Sequence, residues 1–282
     1  MNEPARDASD VSPIDVQALP LPLDLIDTHA HLDQDDFDAD RGQVIARARE
    51  AGVRQMICPA VSAASSDALQ RLSMEHELFC AVGIHPNSTT EAQPGDWEQI
   101  VALSNQPRVV ALGETGLDRY WDYAPLPLQE EYLEKHLQLA HERDLPVILH
   151  CRDAQEDLLR VLRRRMPQLP FRGILHAFSG DTSFAAACLD LGLFISFAGN
   201  VTYSNKKFDS LRTVAKMVPA ERLLVETDSP YLTPQRYRGK LNRNEPVHVM
   251  ETATFLAALR GTSLDQLAAA TSANARRLFR LP

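Results

Sequence analysis

Residues 23–33 read LDLIDTHAHLD: a short apolar run that ends abruptly in two aspartates and two histidines. Leu23, Leu25 and Ile26 at its start are what a strand buried in a parallel sheet requires. In a doubly wound open sheet, the first strand is normally followed by a glycine-rich phosphate loop. Here that place is taken by His29 and His31. If the segment stays extended, both imidazoles point the same way, because side chains alternate along a strand. Such geometry suits chelation, but a polar-faced strand would show it too.

The rest of the chain repeats the opening. Apolar strand candidates fall at 23–27, 54–60, 78–84, 109–115, 146–151, 172–178, 193–199 and 223–228. Segments of helical periodicity lie between them, such as QEEYLEKHLQLAHERD at 129–144 and AQEDLLRVLRRRM at 154–166. Eight strands alternating with helices predict an α/β fold, a closed (β/α)8 TIM barrel. Segments 244–261 and 263–279 read as additional C-terminal helices, with Ser263 placed to cap the second. No linker marks a second domain, so residues 23–282 are expected to form one barrel domain and residues 1–22 a flexible N-terminal tail.

Composition narrows the function classes. The 282 residues are 44% hydrophobic and 24% charged, as in ordinary globular proteins. A formal charge of -9 argues against a surface coated for sequence-independent nucleic-acid binding, though not against a local basic patch. Cys58, Cys80, Cys151 and Cys188 show no zinc-site spacing and sit mostly in apolar runs. They read as core thiols in a reducing compartment, hence the cytoplasm. No segment is long and apolar enough to cross a membrane, and a monomer is the working expectation.

Barrel chemistry collects at the C-terminal strand ends. Sorted by that rule, His29 and His31 end strand one, Glu114 strand four, His150 strand five, His176 strand six and Asp228 strand eight. A lone strand-end histidine is more often a hydrogen-bonded core residue than a ligand. Six ionisable donors on one rim are another matter, since burying them together is costly unless something neutralises them. Divalent cations would do so. Glu114 could bridge two ions, one held by His29, His31 and Asp228, the other by His150 and His176. Mixed imidazole and carboxylate donors suit Zn²⁺, Mn²⁺ or Fe²⁺. Two adjacent ions would activate a water and clamp the attacking and leaving oxygens, with Asp228 and Glu114 as the catalytic carboxylates. Glu226, two residues before Asp228, reads as support for a histidine ligand or as a satisfied core carboxylate. His85 ends strand three and reads either as a substrate contact or as a brace for the turn at Pro86.

The loops beyond these strand ends carry Arg119, Arg152, Lys206, Lys207, Arg236, Arg238, Lys240 and Arg243. Basic loops on the active face of an acidic protein suggest an anionic substrate. Arg119, Arg152, Arg238 and Lys240 are the candidate phosphate contacts, and Tyr120, Trp121 or Tyr237 could stack on a base. Some histidine-rich barrel hydrolases bridge their metals with a modified lysine at the end of strand four. This chain has Glu114 there instead.

IDTHAHLD, GIHP, GETGLD, PVILHCRDA, HAFSG, ETDSPYL and NEP occur in that order, and together they resemble the TatD family of metal-dependent deoxyribonucleases, which falls within the amidohydrolase-like superfamily. The likeness runs from about residue 25 to 280. It implies divalent metals, Mg²⁺ or Mn²⁺ in use, held by His29, His31, Glu114, His150, His176 and Asp228. It further implies hydrolysis of DNA phosphodiester bonds by metal-activated water, commonly as a 3′ to 5′ exonuclease on single strands or 3′ ends. The chain departs from the family pattern at Asn87, where many relatives carry a second histidine, at Arg119, where an aromatic is common, and in a slightly long RGKLNRNEP loop. The nearest alternative is a metal-dependent hydrolase of another ester or amide on the same barrel. A non-catalytic metal-binding protein or nucleic-acid module fits the full ligand set less well.

Overall fold

The computed structural model describes residues 23–282; the tail expected at 1–22 lies outside the described residues. Eight parallel strands stand in chain order: β1 (Leu25–Asp27), β2 (Val53–Pro59), β3 (Phe79–Val82), β4 (Val109–Asp118), β5 (Val147–Arg152), β6 (Gly173–Leu175), β7 (Phe194–Phe197) and β8 (Leu223–Val225). Each neighbour pair is parallel. Past the ends of β8 and β1, a parallel bridge joins Ala30 to Ser229, and the Thr28 amide donates to the Val225 carbonyl. Those contacts bring the last strand round to the first. The result is the TIM barrel expected from the alternation.

Every strand is followed by a helix: α1 (Arg41–Glu50), α2 (Ala63–Glu75), α3 (Asp96–Leu103), α4 (Leu126–Arg143), α5 (Gln155–Arg165), α6 (Thr182–Asp190), α7 (Asp209–Met217) and α8 (Val249–Arg260). Of the two closing helices expected, α8 completes the alternation, and α9 (Leu264–Phe279) is added to it. The Ser263 hydroxyl accepts from the Gln266 amide and the Gln266 side chain answers the Ser263 amide, so α9 starts with a capping box. The four cysteines are free thiols, with Cys58, Cys80 and Cys188 buried, and no helix among the described residues is long and apolar enough to cross a membrane.

Two apolar layers hold the barrel. The larger lies between strands and helices. The smaller fills the barrel with residues such as Ile26, Ile57, Ile148, Ile174 and Leu224, together with Leu278 and Phe279 of α9. Helix α9 therefore plugs the barrel from below. Among the described residues the opposite end has no such plug; that is where the ionisable residues meet.

Candidate metal centre

The strand boundaries differ from the sequence expectation in ways that matter for the site. β1 stops at Asp27, and His29 and His31 lie beyond it on either side of Ala30, which forms the parallel bridge with Ser229. Hydrogen bonds fix the pair against the loop after β8: the His31 amide to the Ser229 carbonyl and the Asp228 amide to the His29 carbonyl, each 2.8 Å. The two Nε2 atoms approach to 3.1 Å. Asp27 anchors this corner, accepting from the Thr227 hydroxyl at 2.6 Å and from the amides of Thr227 and His29. Burial nevertheless pushes its pKa up to about 8.

β4 runs three residues beyond its expected end, with a register shift between Leu112 and Thr115. Glu114 thus sits within the strand, and Asp118 arrives at the rim. Gly116 lies between them at φ 146°; a β-carbon there would stand 2.0 Å from the His150 carbonyl oxygen. Only glycine lets β4 pass β5 this closely. β8 ends at Val225, and Asp228 turns into the site at φ 55°, a left-handed conformation that aspartate tolerates better than most residues.

Glu114 is the centre of the arrangement. Its Oε1 lies 2.7 Å from His176 Nε2, 2.9 Å from His150 Nδ1 and 3.4 Å from His85 Nε2. Its Oε2 faces the other way, 3.3 Å from His29 Nε2 and 3.8 Å from His31 Nε2. Asp228 Oδ1 completes the second side at 3.6 and 3.5 Å from the same two nitrogens. All six residues expected as ligands are thus brought together. His85 joins them: with Glu114 and His150 it forms a third set of donor atoms able to share an ion, besides His29–His31–Glu114 and His29–His176–Asp228. His85 Nδ1 accepts from the Asn87 amide, so the turn-bracing role holds as well.

The electrostatics of the cluster match cation binding. Burial opposes ionisation of Glu114, yet the His176 and His85 imidazoles and hydrogen bonds from His150 and His176 hold its pKa well below the ordinary carboxylate range. Burial also opposes protonation of His176, but Glu114 and then Glu226 raise it well above the usual imidazole value. His29 is pushed down by burial and by His176, whose ring stacks on it at 4.0 Å. The carboxylates are kept charged, and several imidazole nitrogens share one acceptor. A protein-only network seldom packs so many ionisable donors round one buried carboxylate without a neutralising charge. The donor set fits divalent cations.

Two carboxylates stand behind the imidazoles of His150 and His176. Asp118 Oδ2 lies 2.9 Å from His150 Nε2, turning Nδ1 towards Glu114. Asp118 is held at a pKa of about 2: burial opposes ionisation, but the hydrogen bonds from His150 and the Trp121 amide outweigh it. Glu226 Oε1 lies 3.5 Å from His176 Nδ1 and accepts from the Ala177 amide at 2.6 Å, which fits both readings given to it, support for His176 and a core carboxylate. Asp118 was not singled out in the sequence, although GETGLD places it four residues after Glu114, on the same face of an extended strand.

The basic rim is less open than composition suggests. Arg119 pairs with Asp157 at 2.6 Å, Arg236 with Glu251 at 3.0 Å, and Arg243 with Asp40 at 2.6 Å. Arg152 lies over the Tyr120 ring and Arg238 over Tyr203, at 3.6 and 4.5 Å from the ring centroids. Lys240, Lys206 and Lys207 are exposed. Asn244, from the NEP motif, is structural: its side-chain amide donates to the Thr227 and Tyr231 carbonyls and so ties down the loop carrying Asp228.

Comparison with known proteins agrees with this geometry. The family model described as TatD related DNase matches residues 26–280. The chain is 37% identical over 258 residues to YabD of Bacillus subtilis, named an uncharacterised metal-dependent hydrolase, spanning 91% of this chain and 99% of that protein. It is also 37% identical over 258 residues to the 3′-5′ ssDNA/RNA exonuclease TatD of Salmonella typhimurium, spanning 90% and 98%. Among solved structures, the TatD homologue YjjV of Escherichia coli superposes with a TM-score of 0.84 at 32% identity, covering 92% of this chain and 98% of that one. The chain belongs to the TatD-related DNase family of metal-dependent hydrolases.

Proposed function

We propose that this protein is a metal-dependent deoxyribonuclease that removes nucleotides from the 3′ end of single-stranded DNA. The observation that carries the reading is the division of Glu114: one carboxylate oxygen faces His85, His150 and His176, the other His29 and His31. A bridging carboxylate between two donor sets is the arrangement suited to a pair of divalent cations on a phosphodiester. His29, His31 and Asp228 would hold one ion and His150 and His176 the other, with Glu114 shared and His85 close to the second. Mg²⁺ or Mn²⁺ is the proposed working metal, although the donors also accept Zn²⁺ or Fe²⁺. When bound, the ions would lower the pKa of the attacking water and neutralise charge building on the phosphate.

The chain's own residues do the rest. Asp228 faces His29 and His31 and can receive the proton released by the attacking water. Asp118 and Glu226 keep His150 and His176 turned towards Glu114, so the donors need little rearrangement during turnover. Arg152, Arg238 and Lys240 stand on the rim as phosphate contacts. Arg119, tied to Asp157, acts chiefly in shaping its loop. The relative from Salmonella named as an exonuclease supports the substrate class.

The test is digestion of single-stranded DNA labelled at its 5′ or its 3′ end, with Mg²⁺, Mn²⁺ or chelator. Stepwise loss from the 3′ end that stops with chelator or Asp228→Asn is expected. A folded, metal-loaded protein that leaves DNA intact but hydrolyses carboxyl esters or amides would move the assignment to another substrate on the same barrel.

A further inference from the structure

The loop between β4 and α4 spends its polar groups on anchoring itself and turns its aromatic rings outward. Asp118 Oδ1 accepts from the Tyr120 and Trp121 amides at 2.8 and 3.0 Å. The Arg119 side chain is tied to Asp157 on α5. Further along, the Tyr123 carbonyl accepts from the Thr90 hydroxyl and the Ala124 carbonyl from the Gln129 amide. Yet Tyr120, Trp121 and Tyr123 are 52%, 42% and 59% exposed. Holding three large rings in water on an anchored loop needs an external reason.

Ring geometry suggests the ligand. Trp121 and Tyr123 lie nearly parallel, 16° apart with centroids at 5.4 Å, and Tyr120 stands edge-on to Trp121 at 4.8 Å. The Arg152 guanidinium covers one face of Tyr120. Arg152 is two residues from His150, and the same Asp118 that anchors the loop orients His150 through its other oxygen. The patch therefore adjoins the metal centre and carries a cation at that junction. Flat π faces beside a cation are what unpaired nucleobases joined by phosphates recognise.

Resting on the nuclease reading, we propose that Tyr120, Trp121 and Tyr123 form a stacking platform for unpaired bases of the substrate strand, with Arg152 contacting the intervening phosphate. Bases stacked inside a duplex offer no free faces, so the platform selects single strands and frayed ends. Asp118 sets its position relative to the scissile bond.

The experiment titrates the intact Mg²⁺-loaded protein with a phosphorothioate-linked dT10 strand, which resists cleavage, and with an abasic strand of the same length and linkage. Tryptophan fluorescence is the readout; the chain has two tryptophans, Trp97 and Trp121, so Trp121→Phe identifies the source of any quench. The proposal expects dT10 to bind about tenfold more tightly than the abasic strand. It expects the quench to vanish in Trp121→Phe, and the preference for bases to shrink in Tyr120→Ala and Tyr123→Ala. Equal affinity for both strands, or no binding of either, overturns it. Cleavage of ordinary single-stranded DNA, run alongside, separates the two claims. If wild type cuts DNA but Tyr120→Ala and Tyr123→Ala leave KM unchanged, the platform fails and the nuclease reading stands. If nothing is cut although dT10 binds through Trp121, the nuclease reading fails and the platform survives. The substituted rings are exposed, and melting curves confirm that each variant is folded.

Discussion

The two ends of this barrel are built from the same strands and obey opposite rules. The lower end is filled by Ile26, Ile57, Ile148, Ile174 and Leu224 and sealed by Leu278 and Phe279 from α9. Removing any of these from water is favourable in itself, at about 25 cal/mol per Å² of apolar surface. The upper end buries His29, His31, Glu114, Asp118 and His176 almost completely. Each resists burial when charged, and their mutual attractions offset only part of that cost. Stability resides below and chemistry above. The barrel tolerates an expensive rim because the plug and the outer helical layer hold it together.

Histidine shows the contrast within one residue type. His136, on α4, has both ring nitrogens engaged: Nδ1 donates to the Tyr132 carbonyl at 2.6 Å, and Nε2 accepts from the Ile84 amide at 3.1 Å. It is a neutral structural group. The rim histidines His29, His150 and His176 instead crowd one shared carboxylate, Glu114. Burial is common to both; what the ring nitrogens face separates them.

Substitutions should split along the same line. Glu114→Gln is expected to have the largest effect, lowering cleavage by more than the roughly 10–100-fold typical of groups that merely support a metal ligand. It should also abolish the rise in Tm that added Mn²⁺ gives wild type, while the metal-free protein still melts cooperatively. A variant that loses its fold without metal would show that the rim carries stability after all. Next comes Phe279→Ala, expected to cost about 3–5 kcal/mol in urea unfolding while activity per folded molecule stays at the wild-type level. A loss of activity without a loss of stability would mean that the plug reaches the chemistry.

Asp118→Asn sharpens the boundary, because its carboxylate touches no proposed ion. Metal affinity should fall by about 10–100-fold, read by titration, with little change in Tm of the metal-free protein. The smallest effect concerns pH. Burial lowers the pKa of His136 from 6.5 to about 4, so the unfolded chain takes up its proton first as pH falls. The stability it contributes is complete above about pH 6.5 and is lost on the way down to about 4. The stability difference between wild type and His136→Gln, measured by urea unfolding, should therefore narrow between pH 7.5 and 4.5. A constant difference would show that His136 does not titrate there.

Much of this contrast can be read from the chain. Strand and helix alternation is a local pattern, and the barrel follows from it. The meeting of the six residues expected as ligands follows too, because strand ends converge on one rim. Asp118 escaped notice because a strand boundary placed at Thr115 left it in a loop, whereas β4 continues to Asp118. The ion pairing of the basic loops was hidden for a different reason. Arg243 finds Asp40 some 203 residues away, and no local pattern announces such a partner. His29 and His31 lie past the end of β1, and bonds to the loop after β8 hold them there, partners far along the chain that no local pattern announces.

The central claim is that Glu114 is shared by two adjacent cation sites. Titration of the metal-free protein with Mn²⁺, counting bound ions by native mass spectrometry, tests it most directly. The account predicts two ions per chain in wild type and weakened binding of both in Glu114→Gln. A single ion in wild type, or a second ion whose affinity Glu114→Gln leaves unchanged, would contradict it.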